Sequence, residues 1–193
     1  MCFGGFPFSF AIEKGREDSG MTKKSRIFAK DRILCMTAMN KDQLYQQLAA
    51  QAKSLVEGVD NVVGALGNIA ALLKEELPYY FWVGFYVVKD GRLQLGPFQG
   101  PVACYSIEKG RGVCGAAWDK AQTLVVPDVH QFPGHIACSS RSNSEIVVPV
   151  FYGGEVVAVI DVDSEDFGAF DEEDKRGLEE IARIVAPLVA AGY

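Results

Sequence analysis

The sequence predicts an α+β domain, with a mostly antiparallel central sheet flanked by N- and C-terminal helices. Two amphipathic helical runs come first, hairpin-joined strands fill the middle, and one further helical run closes the chain. A doubly wound parallel fold would instead alternate helix and strand throughout. Asp90-Gly91 and Gly153-Gly154 each separate two apolar runs and reverse the chain into an antiparallel neighbour. The 193 residues, 49% apolar and 23% charged, suit one globular domain with an extension.

Each element has its own signal. Asn40 with Gln43 makes an N-cap pattern, and Leu44, Leu48, Ala52, Leu55 and Val59 then recur at helical spacing. A second helical run carries Val63, Leu66, Ile69, Ala70, Leu73 and Leu77 and is broken by Pro78. Tyr80 to Val88 is rich in aromatic and β-branched residues and pairs with 92–98 across Asp90-Gly91. A strand near 104–107 leads through a glycine loop to a short helix over 113–119, and 123–126 is a brief strand before a loop bearing His130 and His135. Strands 145–152 and 155–163 flank Gly153-Gly154, and Asp171 and Asp174 open the last helix, whose Leu178, Ile181, Val185 and Leu188 face the core.

Residues 1–38 differ from the rest. An aromatic start (Phe3, Phe6, Phe8, Phe10) runs into basic residues from Lys14 to Arg32 without helical periodicity, and the charges follow the apolar segment instead of preceding it as in a secretory signal. The expectation is a flexible or dispensable extension over 1–38 and a folded domain over 39–193.

Composition excludes several function classes. A net charge of −6 disfavours nucleic acid, and no apolar run reaches bilayer length, so neither nucleic acid nor membrane is expected as a partner. Five cysteines, an odd number, read as reduced thiols of a cytoplasmic protein better than as a disulfide framework. Zinc would need His130, His135, Cys138 and an earlier cysteine, but Cys104 and Cys114 are too far apart for a metal knuckle, so no metal is expected. Gly110 and Gly112 lack the spacing of a dinucleotide fingerprint, and no bound cofactor is expected.

Cys104, Cys114 and Cys138 have glycine or proline close by, in loops that bring sequence-distant thiols together. On the strand 155–163, Val157, Val159, Asp161 and Asp163 share one face, with the two carboxylates about 7 Å apart; joint burial would raise at least one pKa. Strand ends are also common places for solvated acids, and Glu145 reads equally as a surface residue. Trp82 and Tyr86 share a face of their strand across Gly84, as a core pair or as the wall of a ligand cage.

The runs Pro-Val-Ala-Cys104, Gly110-Arg-Gly-Val-Cys114-Gly, Pro127 to Cys138 and Ser144-Glu-Ile-Val-Val-Pro149 together resemble the free methionine-(R)-sulfoxide reductases, enzymes built on a GAF domain, over roughly residues 44–189. The resemblance implies a single GAF domain that reduces free L-methionine-(R)-sulfoxide. It implies Cys138 as nucleophile, Cys104 as resolving partner and Cys114 as auxiliary. It also implies Trp82 and Tyr86 as pocket aromatics, Trp82 holding the sulfoxide methyl, with Glu145, Asp161 and Asp163 as acidic substrate contacts. Many relatives carry an acid after the nucleophile, where this chain has Ser139. Thioredoxin is the implied dithiol reductant, and a homodimer the implied assembly. The alternative is a noncatalytic GAF sensor: Phe167 followed by Asp171-Glu172 matches half of the cyclic-nucleotide GAF signature, and the Asn-Lys half is missing.

Overall fold

The chain is described here by a computed structural model covering residues 39–134 and 140–193. The extension expected over 1–38 lies outside the described residues, as do His135, Cys138 and Ser139.

Two helices open the fold, α1 (Lys41–Val56) and α2 (Val62–Glu76). Strands β1 (Trp82–Lys89), β2 (Arg92–Gln99) and β3 (Ser106–Glu108) follow, then helix α3 (Gly112–Lys120) and strand β4 (Leu124–Val126). A single 3-10 turn at Val129–Gln131 precedes β5 (Ser144–Tyr152), β6 (Glu155–Ser164) and the closing helix α4 (Glu172–Gly192). The six strands form one sheet in the order β3-β2-β1-β6-β5-β4, and every neighbouring pair is antiparallel.

Both expected hairpins are present. Asp90 and Gly91 take φ 52° and 74°, Gly153 and Gly154 take 61° and 89°, and two successive positive φ values are what a two-residue turn needs to match strand twist. Asn40 caps α1 with a full capping box through Gln43, and Asp171 caps α4 in the same way through Asp174.

Side-chain alternation divides the sheet into two layers. Val83, Phe85 and Val87 of β1, Ile146, Val148 and Val150 of β5, and Ala158, Ile160 and Val162 of β6 join one core cluster with α1, α2 and α4. Trp82 and Tyr86, Val147 and Val159 point to the opposite face, where they meet Val113, Cys114 and Ala117 of α3. The helical layer thus supplies the large core, and the other face is left for a short helix and loops.

Some sequence expectations shift. Val59 does not continue the apolar stripe of α1, which ends at Val56, and Val59 is exposed. Asn61 caps α2 by accepting from the Gly64 N–H, which turns Val62 inward and leaves Val63 in solvent. Cys104 lies in the loop before β3, not in a strand, because β3 begins only at Ser106.

Candidate active site

The second face of the sheet carries a pocket lined by residues of β1, β3, β5, β6 and α3. Cross-strand register brings its polar residues together: Glu145 on β5 stands opposite Asp163 on β6, Asp163 opposite Trp82 on β1, and Asp161 opposite Gly84. Trp82, Tyr86, Glu145, Asp161, Asp163 and Cys114 all line this pocket, as do Val102 and Ala103 from the loop bearing Cys104. Sequence reasoning missed Arg111 and Ser142, which also line it. Arg111 is the N-cap of α3 and makes no side-chain cap there. Its position in the glycine loop was visible, but the direction of its side chain was not.

Glu145 and Asp161 are buried and Asp163 partly so, which removes the reading of Glu145 as a surface residue. Glu145 is 6% exposed and Asp161 7%. Burial first, and then the charges of Asp161 and Asp163, push Glu145 well above the ordinary carboxylate range. Burial and the neighbouring Asp163 push Asp161 up as well, against hydrogen bonds with Cys114 and Glu145. Burial also lifts Asp163, to about 6, despite a stabilising hydrogen bond with Ser142. Three carboxyls this close cannot all ionise cheaply, so the site retains protons near neutral pH. Asp161 Oδ1 is buried with no hydrogen-bond partner among the described residues. A ligand N–H placed there would satisfy it.

Cys114 is a buried free thiol whose Sγ donates to Glu145 Oε1 at 3.8 Å. Burial, followed by the charges of Asp161 and Glu145, pushes this thiol up, so it stays protonated and weakly nucleophilic. Its sulfur and one carboxylate oxygen each from Glu145 and Asp161 lie within 4.8 Å of one another, a set that could hold a cation. A metal would require these groups deprotonated, against the direction in which burial drives them. Cys104 is disulfide-bonded. The expected nucleophile, Cys138, lies outside the described residues, and so does His135 of the zinc alternative. His130 is exposed, and its Nε2 pairs with Asn143 Oδ1 at 3.2 Å.

The aromatic wall is both core and pocket. The Trp82 ring stacks on Phe98 with centroids 5.3 Å apart and lies near Tyr86 at 6.1 Å. Gly84 makes this possible, since a Cβ there would stand 2.6 Å from Trp82 Cη2. Trp82 Nε1 donates to the Pro101 carbonyl at 3.0 Å, and the Tyr86 hydroxyl donates to the Cys104 carbonyl at 3.1 Å. Burial, helped by the nearby acids, raises the Tyr86 phenol and keeps it a donor.

A six-stranded antiparallel sheet with helices on one face and a small pocket on the other is the architecture of a GAF domain, and the sequence model of the GAF domain family matches residues 60–190. GAF domain-containing protein A of Dictyostelium discoideum is 49% identical over 147 residues, 76% of this chain and 92% of that protein. The free methionine-R-sulfoxide reductase of Escherichia coli K12 is 43% identical over 156 residues, 80% of this chain and 94% of that enzyme. The free methionine-R-sulfoxide reductase of Neisseria meningitidis, solved in complex with its substrate, superposes with a TM-score of 0.76 at 48% identity, covering 80% of this chain and 93% of that one. The chain belongs to the free methionine-R-sulfoxide reductase family of GAF-domain proteins.

Proposed function

We propose that the protein reduces free L-methionine-(R)-sulfoxide to L-methionine. The observation that carries this reading is the cluster of Glu145, Asp161 and Asp163 beside Trp82 in one pocket, with Glu145 and Asp161 buried and Asp163 partly buried. A zwitterionic substrate brings an ammonium group for an ionised carboxylate and a sulfoxide oxygen for a protonated one. Trp82 supplies an apolar face for the S-methyl group.

In the proposed reaction the Cys138 thiolate attacks the sulfoxide sulfur while a neutral carboxyl of the cluster protonates the oxygen. The oxygen then passes from the methionine sulfur to Cys138 Sγ, forming a sulfenic acid, and the transient bond between the two sulfurs breaks as methionine leaves. The Cys104 thiol then condenses with the sulfenic acid, releasing water and closing a disulfide. An external dithiol, with thioredoxin as the candidate, takes both oxidising equivalents and restores the two thiols. Cys114 stays protonated and serves as an auxiliary group beside Glu145. The reaction uses no bound cofactor. Residues 1–38 are proposed to be dispensable for the chemistry, the assembly a homodimer and the compartment the cytoplasm. No helix among the described residues is long and apolar enough to cross a membrane.

The test is to incubate purified protein with each epimer of free methionine sulfoxide and a thioredoxin recycling system, and to quantify methionine by chromatography. Release from the (R) epimer with little from the (S) epimer is expected. A noncatalytic sensor would bind the sulfoxide and release no methionine.

A further inference from the structure

The loop over 100–105 has an unusual hold. It has no regular secondary structure, and Val102 and Tyr105 within it are 86% and 87% exposed. Apolar burial of these side chains therefore does little to fix the main chain of the loop, and the disulfide ties only the Cys104 sulfur. Three main-chain acceptors are bound instead. Leu95 N–H donates to Tyr105 O at 2.9 Å, and the other two donors are Trp82 Nε1 and the Tyr86 hydroxyl, on Pro101 O and Cys104 O. Both rings are at least 96% buried and stack in one aromatic row, so their polar tips are fixed points. Gly100, at φ +138°, lets the backbone press against the indole, because a Cβ there would stand 2.5 Å from Trp82 Cδ1.

We propose that Tyr86 and Trp82 are positioning residues for the Cys104 thiol, clamping its loop through main-chain carbonyls in addition to walling the pocket. The proposal rests on the resolving role given to Cys104 above. A clamped loop loses less chain entropy when the disulfide closes, so the effective molarity of the Cys104 thiol is higher. Closure itself balances as sulfenic acid plus thiol giving disulfide plus water. The clamp ties the resolving thiol to the wall that the substrate touches, without any covalent link.

The decisive measurement equilibrates the substrate-free protein in glutathione buffers of graded ratio and reads the oxidised fraction of the Cys104 peptide by mass spectrometry. Tyr86→Phe keeps the ring and removes the donor. It should move the midpoint about tenfold toward easier reduction, which is about 30 mV for a two-electron couple. Gly100→Ala should move it the same way by lifting the loop off the indole, and Tyr105→Phe, which changes only the tip of a side chain 87% exposed and outside the pocket, should leave it in place. Midpoints of Tyr86→Phe and Gly100→Ala both within about threefold of the parent would overturn the proposal. A Tyr86→Phe protein that lacks the parent near-UV circular dichroism leaves the decision to Gly100→Ala. Because no substrate is present, failure of the reductase reading would show as absent methionine release with the midpoint shift intact. Failure of the clamp would show as normal release with no shift.

Discussion

In the proposed reaction Cys138 and Cys104 act in successive steps, so their variants should fail differently. Cys138→Ser should release no methionine even in the first turnover, and Cys104→Ser should release about one equivalent and then stall, as counted by quenched flow. Continued turnover by Cys104→Ser would move the resolving role to Cys114. Asp163 gives a second expectation, this time in stability. Its carboxyl titrates at about 6 in the fold, against about 3.9 in an unfolded chain. Between these values the native state holds the extra proton, so the contribution to stability is present below about pH 4 and lost as pH rises through about 6. Asp163→Asn abolishes this loss. The variant should therefore gain about 2 kcal/mol relative to the parent between about pH 4 and about pH 7.5, measured by urea unfolding. Parallel pH profiles would mean that the carboxyl is solvated.

At the scale of elements, a buried polar knot joins the helical layer. Asp174, fully buried in the first turn of α4, accepts from the Tyr45 hydroxyl of α1 at 2.8 Å, from Tyr79 at 2.5 Å, and from Lys41 Nζ at 2.8 Å. Tyr45 in turn meets Tyr80 with hydroxyl oxygens 2.6 Å apart. Asp174→Ala would remove the shared acceptor of two hydroxyls and leave Lys41 with Asp171 alone, and should cost about 3 kcal/mol in chemical denaturation. The sheet separates this knot from the pocket, so kcat/KM of the folded variant should stay near that of the parent. The elements themselves were largely legible in the sequence. Asn40 with Gln43, Asp90-Gly91, Gly153-Gly154 and Asp171 with Asp174 are local signals whose physics is complete within a few residues. Val59 and Val63 misled because apolar periodicity does not reveal where a cap resets the helix. The pocket was legible in part: alternation placed Asp161 with Asp163, and Trp82 with Tyr86, but only sheet register brings Glu145 opposite Asp163. Ser142, Arg111 and the ring contacts to the Cys104 loop depend on tertiary packing, which no local pattern encodes.

For the whole molecule, the division of labour is between two faces of one sheet. The helical face builds the large core, and the other face spends its burial on three acids, a thiol and an aromatic wall in one small pocket. Buried carboxyls of this kind work against stability and are retained where a ligand compensates them. The ligand proposed here is a free amino acid whose ammonium group answers Asp161 and its neighbours. The most direct measurement is the ratio of kcat/KM for free L-methionine-(R)-sulfoxide to that for its N-acetyl derivative, under identical recycling conditions. Acetylation removes the positive charge and keeps the sulfoxide, so a ratio of at least about 100, equivalent to about 2.7 kcal/mol of transition-state stabilisation, is expected. Equal values for the two substrates would contradict the assignment of the buried acids to the substrate ammonium.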